Sequence, residues 1–175
     1  MMKYITLTIL ALTANAHVLA ETTTINMNLV SQDGVGKNIG YVTVSETDYG
    51  LLFTPNLTGV ADGVHGFHIH VNPSCDVSIN KDNTITPAGA AGGHFDPLQT
   101  NKHLGPYNNQ GHLGDLPALS VFNNQANYPV LAPRLNKINQ IKNHALMVHV
   151  GGDNHDDHPV ALGGGGARFA CGVIK

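Results

Sequence analysis

Histidine is the residue type in excess in this sequence: eleven among 175 residues, beside five Phe, five Tyr and no Trp. Histidine is the commonest protein ligand for metals, so where the eleven fall matters more than their number. Gly66-Phe67-His68-Ile69-His70 sets two imidazoles two positions apart. On an extended strand alternate side chains leave the same face, so His68 and His70 form a chelating pair while Phe67 and Ile69 point the other way. Taken alone the pair is weak evidence, because such spacings also arise by chance. It gains weight from His94 in Gly92-Gly93-His94-Phe95-Asp96-Pro97, His103 nine residues on, His112 nine further, and Asp115 three beyond that. Three imidazole nitrogens and one carboxylate oxygen make an acceptable tetrahedral zinc set. Met147-Val148-His149 adds another histidine on a late apolar run. His68, His70, His94, His103, His112, His149 and Asp115 are seven ligands, one fewer than two four-coordinate ions require. One must then be shared, which a histidine can do through its two ring nitrogens.

Such ligands need carriers. In Thr24-Ile25-Asn26-Met27-Asn28-Leu29 the apolar residues alternate, the period of a half-buried strand. Asp33-Gly34 supplies turn chemistry before a second strand from Ile39 to Val44, and 51–53, 67–71, 119–122, 145–150 and 169–174 read as further strands bounded by Gly, Pro, Asn and Asp. No window carries a helical period, so the fold class is all-β, an antiparallel sandwich or barrel. Two stretches break the rhythm: Asn72 to Leu116, about forty-five residues rich in Gly, Pro, Asn and His, and Gly151 to Ala167, which holds the run Gly163 to Gly166. Loops of that length in a compact domain are functional or disordered, and metal bonds can organise what lacks a core of its own.

The first twenty residues stand apart. Lys3, the apolar run Tyr4 to Leu12 and the small residues ending at Ala16 and Ala20 have the layout of a secretory signal, too short to span a bilayer. Residues 1–20 are therefore expected to be removed, leaving one domain over 21–175 that begins at Glu21 or, with an earlier cut, at His17. Without Lys3, eight of the nine basic residues face twelve acidic ones, a formal charge of −4. No basic stripe is available for nucleic acid and no membrane partner is implied, although a few placed cations can still govern the field of a cleft. Cys75 and Cys171 in an exported chain favour a disulfide, worth about 4 kcal/mol over so long a loop. A thiolate metal site or a nucleophile is the alternative, disfavoured by the absence of CxxC spacing.

Taken in order, GFHIH, GGHFDP, NKHLGP, GHLGDLP, MVHVGGDNHDDHP and GGGGARFACGVIK resemble the copper/zinc superoxide dismutases in their bacterial periplasmic form, firmly from about Gly63 to the C-terminus and more loosely from Thr22. Each motif alone is modest; the ordered set is specific. The resemblance implies a Greek-key β-sandwich and one copper and one zinc per chain. It implies disproportionation of superoxide to oxygen and hydrogen peroxide by alternate reduction and reoxidation of copper. Copper would be held by His68, His70, His94 and His149, and zinc by His94, His103, His112 and Asp115, with His94 the bridge. Arg168 would draw in and orient the anion, in keeping with a guanidinium that stays charged at every working pH. Asp153 would hydrogen-bond one histidine of each metal and fix their rings. Bacterial members include dimers and monomers, so a homodimer and a monomer are both compatible with the sequence.

The remaining histidines read as structural. His65 is expected to be a buried, hydrogen-bonded residue on the face away from the ligands, and His144 a strand-edge residue. His155 and His158, beside Asp156 and Asp157, read as solvated loop residues or an accessory metal site. The acidic GGDNHDDHP replaces a charged guiding segment of the eukaryotic enzymes, leaving Lys81 and Lys102 as candidates to assist Arg168. Gly163 to Gly166 are not a phosphate loop, since no GK[ST] follows, and are expected to let the chain pack closely against the copper ligands. The rival readings are a copper or zinc store on the same fold, which has no need of Arg168, and a sandwich that binds zinc only.

Overall fold

A computed structural model describes residues 20–175; the expected leader, Ala20 excepted, lies outside them. The first three strands form a meander: β1 (Thr22–Ser31), β2 (Gly34–Thr47) and β3 (Gly50–Thr58). The alternation read in the sequence becomes two faces, Ile25 and Met27 of β1, Val42 and Val44 of β2 and Leu51, Phe53 and Leu57 of β3 all pointing into the core. The turn expected at Asp33-Gly34 joins β1 to β2, with Gly34 at φ 104°, a conformation natural to glycine.

Beyond these come β4 (Gly63–His65), β5 (Phe67–His70), the two-residue strands β6 (Ser78–Ile79) and β7 (Ile85–Thr86), β8 (Leu119–Val121), β9 (Gln125–Ala126), β10 (Val130–Ala132), β11 (His144–His149) and β12 (Arg168–Ile174). The principal sheet runs β10-β3-β2-β1-β12-β11-β5 with antiparallel pairing, and β9 also pairs with β3. It curls until its ends meet: β5 continues back through Gly66 into β4, β4 pairs with β8, and Phe122 and Gln125 exchange hydrogen bonds that turn β8 into β9. The all-β sandwich is thus a flattened barrel. Phe67 meets Phe53 edge to face at 5.7 Å in its centre, both fully buried, each contributing about 2–3 kcal/mol by removal from water.

No helix among the described residues is long and apolar enough to cross a membrane. Two long connections remain, between β5 and β8 and between β11 and β12. The first holds the β6–β7 hairpin and a single helical turn, Gly89–Ala91, and is tied to β12 by the Cys75–Cys171 disulfide. It also covers the outer edge of β5, which would otherwise present unpaired peptide groups. Val71 N–H donates to Gly93 O (3.0 Å), Phe95 N–H to Ile69 O (2.8 Å), Ile69 N–H to Gly114 O (2.9 Å) and Leu116 N–H to Phe67 O (3.2 Å). The stretches carrying His94 and Asp115 are therefore held against the strand carrying His68 and His70.

Candidate metal centre

On β5 all four side chains are buried, Phe67 and Ile69 in the core and His68 and His70 on the outer face. Met147 of β11 stands opposite His68 and Ala145 opposite His70, and the same strand delivers His149 at its end, paired with Arg168 of β12 across a bulge. The loop along β5 brings in His94, His103, His112 and Asp115, every one of them buried. All seven ligands expected from the sequence lie in one cluster. Ligand atoms of His68, His70, His94 and His149 lie within 4.8 Å of one another, as do those of His68, His94, His103 and Asp115. His112 joins the second group through Asp115, its Nδ1 being 3.4 Å from Asp115 Oδ1.

Four of the six rings are oriented by the nitrogen that faces away from the cluster. His70 Nδ1 donates to Gly92 O (2.8 Å) and His149 Nδ1 to Gly166 O (3.1 Å), which leaves their Nε2 atoms inward and 3.3 Å apart. Asp153 takes His68 Nε2 on one oxygen (2.8 Å) and His103 Nε2 on the other (2.7 Å). His94 Nδ1 lies 2.9 Å from Asp115 Oδ1, and His103 Nδ1 3.1 Å from the same oxygen. What is left over is informative: His68 Nδ1, His94 Nε2, His103 Nδ1, His112 Nδ1 and Asp115 Oδ2 are buried without a hydrogen-bond partner. Unpartnered buried polar atoms are costly, and five converging in one place fit cations as their partners. Imidazole nitrogens alone suit copper; imidazoles with a carboxylate suit zinc.

The electrostatics differ across the cluster. Burial, with the neighbouring His94 ring, pushes the His68 pKa down to about 3; burial lowers His149 to about 4 and holds His70 well below its ordinary value. Burial acts to lower His103 too, but the carboxylates of Asp115 and Asp153, one beside each ring nitrogen, overcome it and raise this ring to about 9. Burial would raise both carboxyls; the rings of His103, His112 and His94 beside Asp115, and the hydrogen bonds from His103 and His68 to Asp153, hold them far below the carboxylate range.

A cavity of about 340 Å³ opens onto His70, His94 and His149, rimmed by Ile85, Pro87 and Leu162. Arg168 is the one permanently charged side chain lining it among the described residues. Its guanidinium donates to Ala88 O (2.6 Å) and to Gly92 O (2.5 Å), the carbonyl that also orients His70. The expected close approach of the glycine run is present. Gly163 has φ 69° and a Cβ there would fall 2.0 Å from Asp153 Oδ1, while one on Gly165 would fall 3.3 Å from His149 Cγ.

Outside the cluster, the ring nitrogens of buried His65 lie 2.8 Å from His149 O and 2.9 Å from Ala61 O, and His144 at the start of β11 reaches Val71 O (2.7 Å). His155 is not simply solvated: its ring lies over Gly105 and its Nδ1 is 3.4 Å from Asp153 Oδ1, in a group with His103 that could also hold an ion. Nor is Asp157, which accepts the main-chain N–H of His103 (2.9 Å) and of Leu162 (3.1 Å). His158 is exposed, as are Lys81, in the turn of the β6–β7 hairpin, and Lys102. Sequence reasoning missed Arg134, whose guanidinium gathers main-chain carbonyls of the loop, and the orienting carbonyl of Gly92.

A family model described as copper/zinc superoxide dismutase (SODC) matches residues 38–174. The chain is 57% identical to "Superoxide dismutase [Cu-Zn] 1" of Salmonella typhimurium over 180 residues, covering 99% of each. Among solved structures it is similar to a Cu/Zn superoxide dismutase from Brucella abortus, with a TM-score of 0.86 and 52% identity over 89% of this chain and all of that one. It is also similar to the monomeric copper, zinc superoxide dismutase from Salmonella enterica, with a TM-score of 0.80 and 54% identity over the same share of each.

Proposed function

The chain belongs to the copper/zinc superoxide dismutase family, and on that basis we propose that His68, His70, His94 and His149 hold its copper while His94, His103, His112 and Asp115 hold its zinc. The reaction is removal of superoxide, two anions and two protons giving oxygen and hydrogen peroxide, with copper and zinc as cofactors. Bound copper would supply one-electron redox chemistry, and bound zinc would add positive charge without redox change.

The protein's part is to position, to handle protons and to admit the anion. One observation carries the ligand partition: of the two rings common to both clusters of ligand atoms, His68 has its Nε2 bonded to Asp153, whereas His94 has Nδ1 beside Asp115 and a buried, unpartnered Nε2, so each of its nitrogens can serve one side. That ring serves as the shared ligand, and Nε2 is the atom from which a proton passes to the substrate. Asp153 locks His68 and His103 in the tautomer that turns Nδ1 inward on each. Arg168, at the cavity wall and anchored by two carbonyls, attracts the substrate and orients it.

Export to the periplasm, with removal of residues 1–20 to leave the domain 21–175, is supported by the layout from Lys3 to Ala20 and by a disulfide suited to an oxidising compartment. Metal analysis with an activity assay tests the functional assignment. Copper and zinc near one each per chain, with disproportionation abolished by chelating copper, are expected; zinc alone after full loading would overturn it.

A further inference from the structure

We propose that Arg134 is a positioning residue for the zinc half of the centre, acting through the main chain of the loop that carries His112; the proposal rests on the zinc assignment above. A guanidinium has five N–H groups, and here every one meets a carbonyl of the same loop. Nε donates to Pro106 O (3.0 Å), Nη1 to Asn108 O (2.7 Å) and Gly111 O (3.2 Å), and Nη2 to Gly105 O (3.1 Å) and His112 O. No carboxylate forms an ion pair with it among the described residues.

The segment it grips runs between His103 and His112 and contains neither helix nor strand. Its own main-chain bonds are sparse: Gly111 N–H to Asn108 O, and His112 N–H to Lys102 O. Carbonyls converging at a part-buried point need donors, and a planar fork supplies them at fixed angles, as a lysine does not. The last of the five belongs to His112, whose ring reaches Asp115.

The other end of the side chain is anchored to the barrel. Arg134 follows β10 in a turn where Leu135 is in the core and Leu51 N–H donates to Leu135 O (2.7 Å). A Cβ on Gly50 would fall 2.4 Å from Ala132 O, so β3 packs directly against this turn. A loop without structure of its own thereby takes its position from the sheet.

Charge and geometry act in opposite directions here. A cation bonded to a zinc ligand's main chain repels a dication, so by charge alone its removal strengthens zinc binding; if it positions the loop, removal weakens binding. The test uses Arg134→Lys, which keeps the charge and loses the fork, and Arg134→Gln, which loses both. In the full, disulfide-bonded holoenzyme, zinc release to a chromogenic chelator and copper content are measured together, and the visible bands of cobalt(II) placed in the zinc site are recorded. Both variants are expected to bind zinc roughly 10–100-fold more weakly, with copper retained and the cobalt bands altered. Retained copper also reports that the barrel has folded. Zinc held as tightly as in the parent by Arg134→Lys, or more tightly by Arg134→Gln, would overturn the proposal. Asp115→Ala run in parallel separates the two layers. If it loses zinc while both Arg134 variants keep it, the ligand assignment stands and the role of Arg134 fails; if it too keeps zinc, the assignment itself fails.

Discussion

On one side of His94, the rings of His68, His70 and His149 project from two paired strands, and each is oriented by one bond from its outer nitrogen. On the other side, His103, His112 and Asp115 ride on a loop stitched to an edge strand, and carboxylates and a guanidinium hold them. The strand-borne side is preorganised by covalent geometry and sheet register. Its rings are neutral at pH 7, with His68 near 3 and His149 near 4, so they are ready for a metal with no proton to displace. The loop-borne side is organised by charge. There His103, raised to about 9, is protonated against Asp115 in the metal-free chain, and a proton occupies the role a dication would take. The sheet fixes where its ligands stand and one bond to a loop group orients each ring; the loop needs something charged at its centre.

If that contrast is right, the largest effect follows from removing the loop's anion. Asp115→Ala is expected to weaken zinc binding by more than about 100-fold while copper is largely retained, read by metal analysis after dialysis. Equal loss of both metals would mean that the two sides are not separately held. Asp153→Ala removes the one side chain that orients a ring on each side, through His68 and His103. Both affinities should fall, by roughly 10–100-fold, in the same titration; loss at one metal only would show that Asp153 serves a single side. Arg168→Ala leaves both sides intact, and both metals should stay bound. The rate constant for superoxide at low salt should drop about tenfold and its dependence on ionic strength should flatten, since the local field that steers the anion is gone. Unchanged kinetics would remove the role given to Arg168.

The smallest effect is in protons. One equivalent of zinc added to the metal-free chain at pH 7 should release about one proton, from His103, and apparent zinc affinity should fall as pH drops below about 9. One equivalent of copper should release none. The sign for stability follows from the same ring. Its folded value lies above the ordinary 6.5, so the metal-free fold has this contribution in full below 6.5 and loses it as pH rises through about 9. A pH indicator in weak buffer checks the release; equal release for both metals would erase the contrast.

The strand-borne side was also the more legible in the sequence. His68 and His70 are readable because a period of two fixes the face without knowledge of the rest of the fold. The set His94, His103, His112 and Asp115 was legible by spacing and residue type, and seven ligands for two ions asked for a shared histidine without naming it; His94 as that bridge, Asp153 and Arg168 entered through the family resemblance. Arg134 left no signal. Its acceptors are main-chain carbonyls spread from Gly105 to His112, and a carbonyl has no identity in a sequence. The short strands β4, β9 and β10 were missed because two or three residues show no period, and the β6–β7 hairpin rests on two separated isoleucines, Ile79 and Ile85, inside what reads as loop. His155 read as solvated because the space for its ring is made by Gly105, fifty residues away at φ 71°.

The central claim is that His94 belongs to both sides at once. Anomalous diffraction recorded at the copper and zinc absorption edges from crystals of the fully loaded protein tests it directly. The expected result is two ions of different identity, copper bonded to His94 through Nε2 and zinc through Nδ1, with His68, His70 and His149 completing the first and His103, His112 and Asp115 the second. A His94 ring bonded to one ion only, or the same element in both positions, would contradict the account.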